Sequence, residues 1–240
     1  MRFIFDLALL AIIAACTWSG RKKGLVMCIA TILAVIISLY VGDLLGSTFS
    51  PAVTSAVRPF VSGYMDGTEG VINQTLIGLE NGSAGLSVED YVKQHPDIKE
   101  QLCENSFEKV GVYSSSAKKM AGNAIDYADT NGVSLSLAIE TVMTNDFTYY
   151  LAFLVFFALT LIILTVLGNI LNLSFKFPEM DKLNDIGGIS AGAVTGLMFC
   201  IIIVWALKFT GLILPEAEMK RTLLTALFLK LNILSQFLTV

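Results

Sequence analysis

The chain has 240 residues, 55% of them apolar and only 15% charged, with a mean hydropathy of +0.71 and a formal net charge of −4. A soluble domain averages roughly 45–50% apolar and about 25% charged residues, and it cannot hide such a surplus beneath a polar surface. These proportions exclude a disordered tail and a secreted disulfide scaffold, and a pI near 5.0 excludes the broad basic footprint of a nucleic-acid binder.

The surplus falls in blocks near the roughly 20 residues that cross a bilayer core. The first, Phe3–Ser19, is barely long enough and carries Asp6. An ionisable residue in a span is costly, so Asp6 is a candidate intramembrane polar site. A position at interface depth, near the outer end of the helix, is the plainer reading. Ile13-Ala14-Ala15-Cys16 has the form of a lipoprotein cleavage box. A signal peptide wants its positive charge ahead of the apolar stretch, and here three basic residues follow it, so no cleavage is expected. Gly20-Arg21-Lys22-Lys23-Gly24 is a tight basic turn, and the second block, Leu25–Leu45, has Asp43 at its far end.

Residues 50–146 are polar, with thirteen acidic residues against six basic ones for a net of −7. Ser87-Val88-Glu89-Asp90 is a capping-box-like helix start, and Pro96 ends the stretch it opens. Phe107–Ala128 has apolar residues at helical spacing, and Ser134–Met143 reads as a last short helix. Asn81 to Gly85 marks a turn. No sustained alternation predicts a strand. The apolar content is thin for an independently stable unit.

The third block is Phe147–Leu171, followed by a polar loop, Asn172–Asp185. The fourth, Ile186–Leu214, holds Lys208 near its end and stops at Pro215. Gly188, Gly192 and Gly196 recur every fourth residue within it, so one helix face is nearly bare and suits close packing in lipid. The spacing leaves open whether the partner is another span or another subunit. Gly188-Ile189-Ser190-Ala191-Gly192 also matches a hydrolase nucleophile motif, but that motif needs a strand-to-helix elbow and a histidine base, and His95 is the only histidine. Ser115, Ser116, Lys118 and Lys119 form an S-x-x-K pattern without its companion motifs and read as a solvated helix face. The tail, Met219–Val240, is amphipathic. It suits a helix lying along the membrane, with packing on another helix as the competing reading.

The organisation is therefore a transmembrane hairpin (1–46) around the basic turn 20–24, a helical extracytoplasmic segment (47–146), a second hairpin (147–214) and an amphipathic tail (215–240). The fold class is all-α integral membrane with four spanning helices. Arg21, Lys22 and Lys23 form the densest basic cluster and determine topology: the turn is cytoplasmic and the 50–146 segment outside. The four cysteines form no framework, no metal site or cofactor is expected, and no acid, base and nucleophile converge.

The layout resembles the bacterial colicin V production family. Asp6 fits that family's early acid, Gly20-Arg21-Lys22-Lys23-Gly24-Leu25 is similar to its basic turn, and Leu183-Asn184-Asp185-Ile186-Gly187-Gly188 through Gly192 and Gly196 fits its third signature. The resemblance covers 1–46 and 147–210. It departs at Asp185, where the family commonly has a base, and at Thr195, where a lysine is frequent. The resemblance implies a multi-pass inner-membrane protein, non-enzymatic, acting in bacteriocin production or export or in envelope homeostasis. Its partners would be the lipid bilayer and a membrane-protein partner or a homo-oligomer, not nucleic acid. A small transporter or channel subunit is one alternative. A membrane-tethered binding module built on the 50–146 segment is another.

Overall fold

The computed structural model describes residues 2–65, 70–79, 87–171, 181–209, 215–231 and 234, and among them every regular element is helical. In chain order these are α1 (Arg2–Lys23), α2 (Leu25–Met65), α3 (Val71–Leu79), α4 (Val88–Gln94), α5 (Lys99–Lys109), α6 (Ser114–Asn131), α7 (Leu135–Ile170), α8 (Asp181–Leu207), α9 (Glu216–Met219) and α10 (Leu223–Leu231). A single 3-10 turn, Pro96–Ile98, separates α4 from α5. Helices α1, α2, α7 and α8 are each long and apolar enough to cross a membrane, so this is an all-α membrane protein.

Two spanning helices run well past their apolar blocks. Helix α2 has 41 residues, about 60 Å at 1.5 Å per residue, twice the hydrocarbon core. It continues through Pro51 and Pro59, each of which removes a ladder hydrogen bond. Its far end supplies Met65, fully buried, and half-buried Val61 to an apolar core, so tertiary packing maintains a helix that local propensity would end. Helix α7 joins the stretch expected as a short separate helix to the third apolar block in one run of 36 residues. The opposite happens at 107–128, read as one helix. Gly111 takes φ 95°, a left-handed conformation that side chains disfavour, and there the chain breaks into α5 and α6. The turn at 81–85 and most of the loop 172–185 lie outside the described residues.

The chain forms two compact units. The first holds α1, α2 up to Thr48, α7 from Leu151, α8 and α10. Its large side chains Ile4, Leu7, Leu33, Ile162 and Ile163 are more than half exposed, as lipid-facing residues should be in a bundle whose solvent is hydrocarbon. The second holds α2 from Phe49, α3 to α6, α7 up to Tyr150, and Lys208, Phe209 and residues 215–216. It has its own core, with Tyr91, Leu102, Phe107, Met120 and Ile139 all almost fully buried. Ala117, Ala121, Ala124 and Ala128 line the buried face of α6 and let neighbouring helices come close. Core volume here comes from small residues and from the ends of α2 and α7, which is why the 50–146 stretch looks apolar-poor when read alone. Within this unit the Tyr113 N–H donates to the Lys208 carbonyl at 2.8 Å, and the Ser114 N–H donates to Glu216 Oε2 at 2.8 Å. The second bond places a carboxylate on the first turn of α6, where it complements the unpaired N–H groups.

Candidate functional site

The bare face of α8 is filled by α1. A Cβ on Gly188 would stand 2.5 Å from the Gly20 carbonyl oxygen, one on Gly192 2.6 Å from that of Cys16, and one on Gly196 2.8 Å from the Ile13 Cα. These neighbours are backbone atoms, which cannot rotate away. Gly20 answers from the other side, because a Cβ there would collide with the Gly188 carbonyl. Two backbones thus run against each other along Ile13, Cys16 and Gly20, and the strip packs within one chain.

At the end of that contact the basic residues Arg21, Lys22 and Lys23 form the last turn of α1, where the free carbonyls favour cations. Gly24, at φ 81°, closes the helix with its N–H donating to the Gly20 carbonyl at 2.9 Å, and α2 begins at the next residue. Arg21 Nε lies 3.4 Å from Asp185 Oδ2, with both side chains substantially exposed; such pairs contribute at most about 1 kcal/mol. Asp185 is where the resembling family carries a base, and here it faces an arginine. The Lys22 ammonium stands 5.6 Å from the centre of the Trp18 ring, and Trp18 is exposed. An exposed indole beside a lysine suits the bilayer interface.

Asp6 meets the far end of the chain. Its Oδ2 accepts from the Leu223 N–H at 2.9 Å, and its Oδ1 accepts from the Thr225 N–H and hydroxyl, both at 3.4 Å. The carboxylate therefore caps the first turn of α10, satisfying donors that have no partner inside that helix. Below the cap, Phe228 packs against Leu9, Cys200 and Val204. The described part of the tail rests on α1 and α8, with Leu223 and Leu227 left exposed. A cap recruited from 217 residues away leaves no local signature in the sequence.

A second close contact joins α2 and α7. Gly42 and Gly46 lie one helical turn apart on α2 and face α7: a Cβ on Gly42 would be 3.1 Å from Phe157 Cβ, and one on Gly46 3.2 Å from Phe153 Cα. Phe153 in turn meets the edge of Trp205, ring centres 5.1 Å apart. Asp43, between the glycines, is half-buried. Toward the basic turn a groove of about 280 Å³ lies between the same two helices.

The second unit carries a polar cleft of about 470 Å³ lined by Asn73, Ser87, Glu89, Ser134, Ser136 and Glu140. The Ser136 hydroxyl donates to Glu89 at 2.9 Å, and Arg58 Nε donates to the buried Glu140 at 3.1 Å. Ser87 is spent as the N-cap of α4, accepting from the Asp90 N–H. His95 is exposed and stacked on Tyr91. Cys103 is fully buried, and burial pushes its thiol up to about 12. Among the described residues no group of metal-ligating side chains is present. The hydrolase-like motif lies inside α8, where Ser190 donates to the Ile186 carbonyl at 2.9 Å.

Residues 115–232 match the family model described as Colicin V production protein. The matched stretch runs from the start of α6 through the glycine face and α10. Arg21, Lys22, Lys23 and Asp6, which also carried the resemblance, lie outside it. No curated protein and no solved structure matches the chain.

Proposed function

We propose that this chain, whose residues 115–232 match the colicin V production family model, is a non-enzymatic accessory protein of the bacterial inner membrane. It acts in bacteriocin production or export, or in envelope homeostasis, by presenting the helical unit of residues 49–150 to a partner outside the cytoplasm. The observation that carries this reading is the separate core of that unit, closed around Leu102, Phe107 and Ile139. A folded polar unit carried by a membrane bundle is suited to contact another protein. The bundle supports the same reading over a transporter or channel subunit. Thr17, Thr31 and Thr195 each donate to the carbonyl four residues back, so their hydroxyls are satisfied within their own helices and offer little to a permeating solute. A photo-crosslinking residue at exposed Asn123 of α6, and another at lipid-facing Ile36, test this in membranes of the producing cell. The expected result is an adduct to one and the same protein from position 123 alone, together with loss of the export or envelope phenotype when neighbouring α6 surface residues change at constant abundance. Adducts from position 36 only, or full function after those changes, would overturn the reading.

A further inference from the structure

We propose that the groove between α2 and α7 holds one acyl chain of an anionic phospholipid, with its headgroup at the basic turn. The groove is walled by Met27, Thr31, Ala34 and Ile37 on α2 and by Leu164 and Gly168 on α7. Its lining is almost wholly apolar, with two threonines, Thr31 and Thr165; the Thr31 hydroxyl donates to the Met27 carbonyl at 2.8 Å. The cause of the groove lies one and a half turns further on. Gly42 and Gly46 let α2 sit close on Phe157 and Phe153, and the groove lies between the same two antiparallel helices on the basic-turn side of that contact.

Dimensions select the occupant. From Met27 to Ile37 the wall is about 15 Å long at 1.5 Å per residue, half of a hydrocarbon core about 30 Å thick. One leaflet's chain therefore fits lengthwise.

Charge selects the headgroup. The groove begins two residues after Leu25, and Arg21, Lys22 and Lys23 lie within the preceding turn. Asp185 occupies Arg21 at 3.4 Å, which leaves Lys22, exposed beside Trp18, and half-buried Lys23 to face a phosphate. Juxtamembrane lysines attract anionic lipid at about 1 kcal/mol each, or roughly fivefold in affinity. A zwitterionic lipid gains no comparable attraction.

The test is native mass spectrometry of the full chain released from detergent, titrated with phosphatidylglycerol and with phosphatidylcholine of matched long chains. The wild type is expected to hold phosphatidylglycerol about tenfold more tightly. The double variant Lys22→Gln, Lys23→Gln should bring the two lipids to near equality. Ala30 also lines the groove, and Ala30→Phe, which fills it, should weaken both by a similar factor and keep their ratio. A comparison without mutation separates loss of the groove from loss of folding: short-chain phosphatidylglycerol should bind wild type at least about tenfold more weakly than the long-chain form. Equal retention of the two headgroups, no dependence on chain length, or a second copy of the protein in place of lipid would each overturn the proposal.

Discussion

Replacing Gly192 with alanine tests the packing of α1 on α8 through the sign of the effect. In an open helix the change is favourable by about 1 kcal/mol, because alanine has less backbone entropy to lose. At position 192 the new methyl would stand 2.6 Å from the Cys16 carbonyl oxygen, where ordinary contact begins at 3.4 Å. Helix α1 must retreat by about 0.8 Å, and Gly188 and Gly196, which leave no more room for a Cβ against the same helix, lose their close approach with it, so the whole contact opens. Overpacking costs about 1–3 kcal/mol, with the upper part of that range, about 2–3 kcal/mol, expected where the clash is with backbone, and no hydrophobic effect drives the helices back together in lipid. The net expectation is a loss of about 1–2 kcal/mol, or a fall in Tm of roughly 2–8 °C for a chain of this size. Gly122→Ala is the matched control, since a Cβ at position 122 of α6 meets nothing within 4 Å and should raise stability by up to about 1 kcal/mol. The assay is thermal unfolding in detergent with light scattering for oligomer size, which should not change because the partner helix is in the same chain. A Gly192→Ala protein as stable as wild type would refute the reasoning.

Asp6→Ala should release α10 at a cost of about 1 kcal/mol, seen as faster tryptic cleavage at Lys220 and Arg221 at unchanged abundance, while Asp6→Asn, which keeps an acceptor oxygen, should be milder; equal cleavage in all three would contradict the cap. Cys103, buried and with its thiol pushed up to about 12, should resist alkylation at pH 8 in the folded protein and react when the second unit unfolds; rapid reaction under native conditions would contradict that burial. Gly46→Leu should destabilise the bundle more than Leu44→Ile, because Gly46 abuts the Phe153 backbone while Leu44 is half exposed to lipid.

What could be read from the chain alone was local. The glycine spacing at 188, 192 and 196 announces a bare face, but its partner face, Ile13, Cys16 and Gly20, contains one glycine and gives no sign of itself. Gly42 and Gly46 have the same spacing, but two glycines one turn apart with an acidic residue between them form too short a pattern to stand out as a packing face. Asp6 was visible as an anomaly, yet its explanation lies in the amides of Leu223 and Thr225. The length of α2 was hidden by Pro51 and Pro59, because the packing of Val61 and Met65 that favours its continuation involves residues distant in sequence. Nothing near Cys103 marks it as core, because the side chains that enclose it come from several helices.

The claim that residues 49–150 face outward is tested most directly by labelling. Asn123, exposed on α6, replaced by cysteine in a chain whose own four cysteines are changed to alanine, should react with a membrane-impermeant maleimide in cells with only the outer barrier opened. Lys22→Cys in the same background should stay unlabelled until the inner membrane is permeabilised. Labelling at position 22 with protection at 123 would contradict the account.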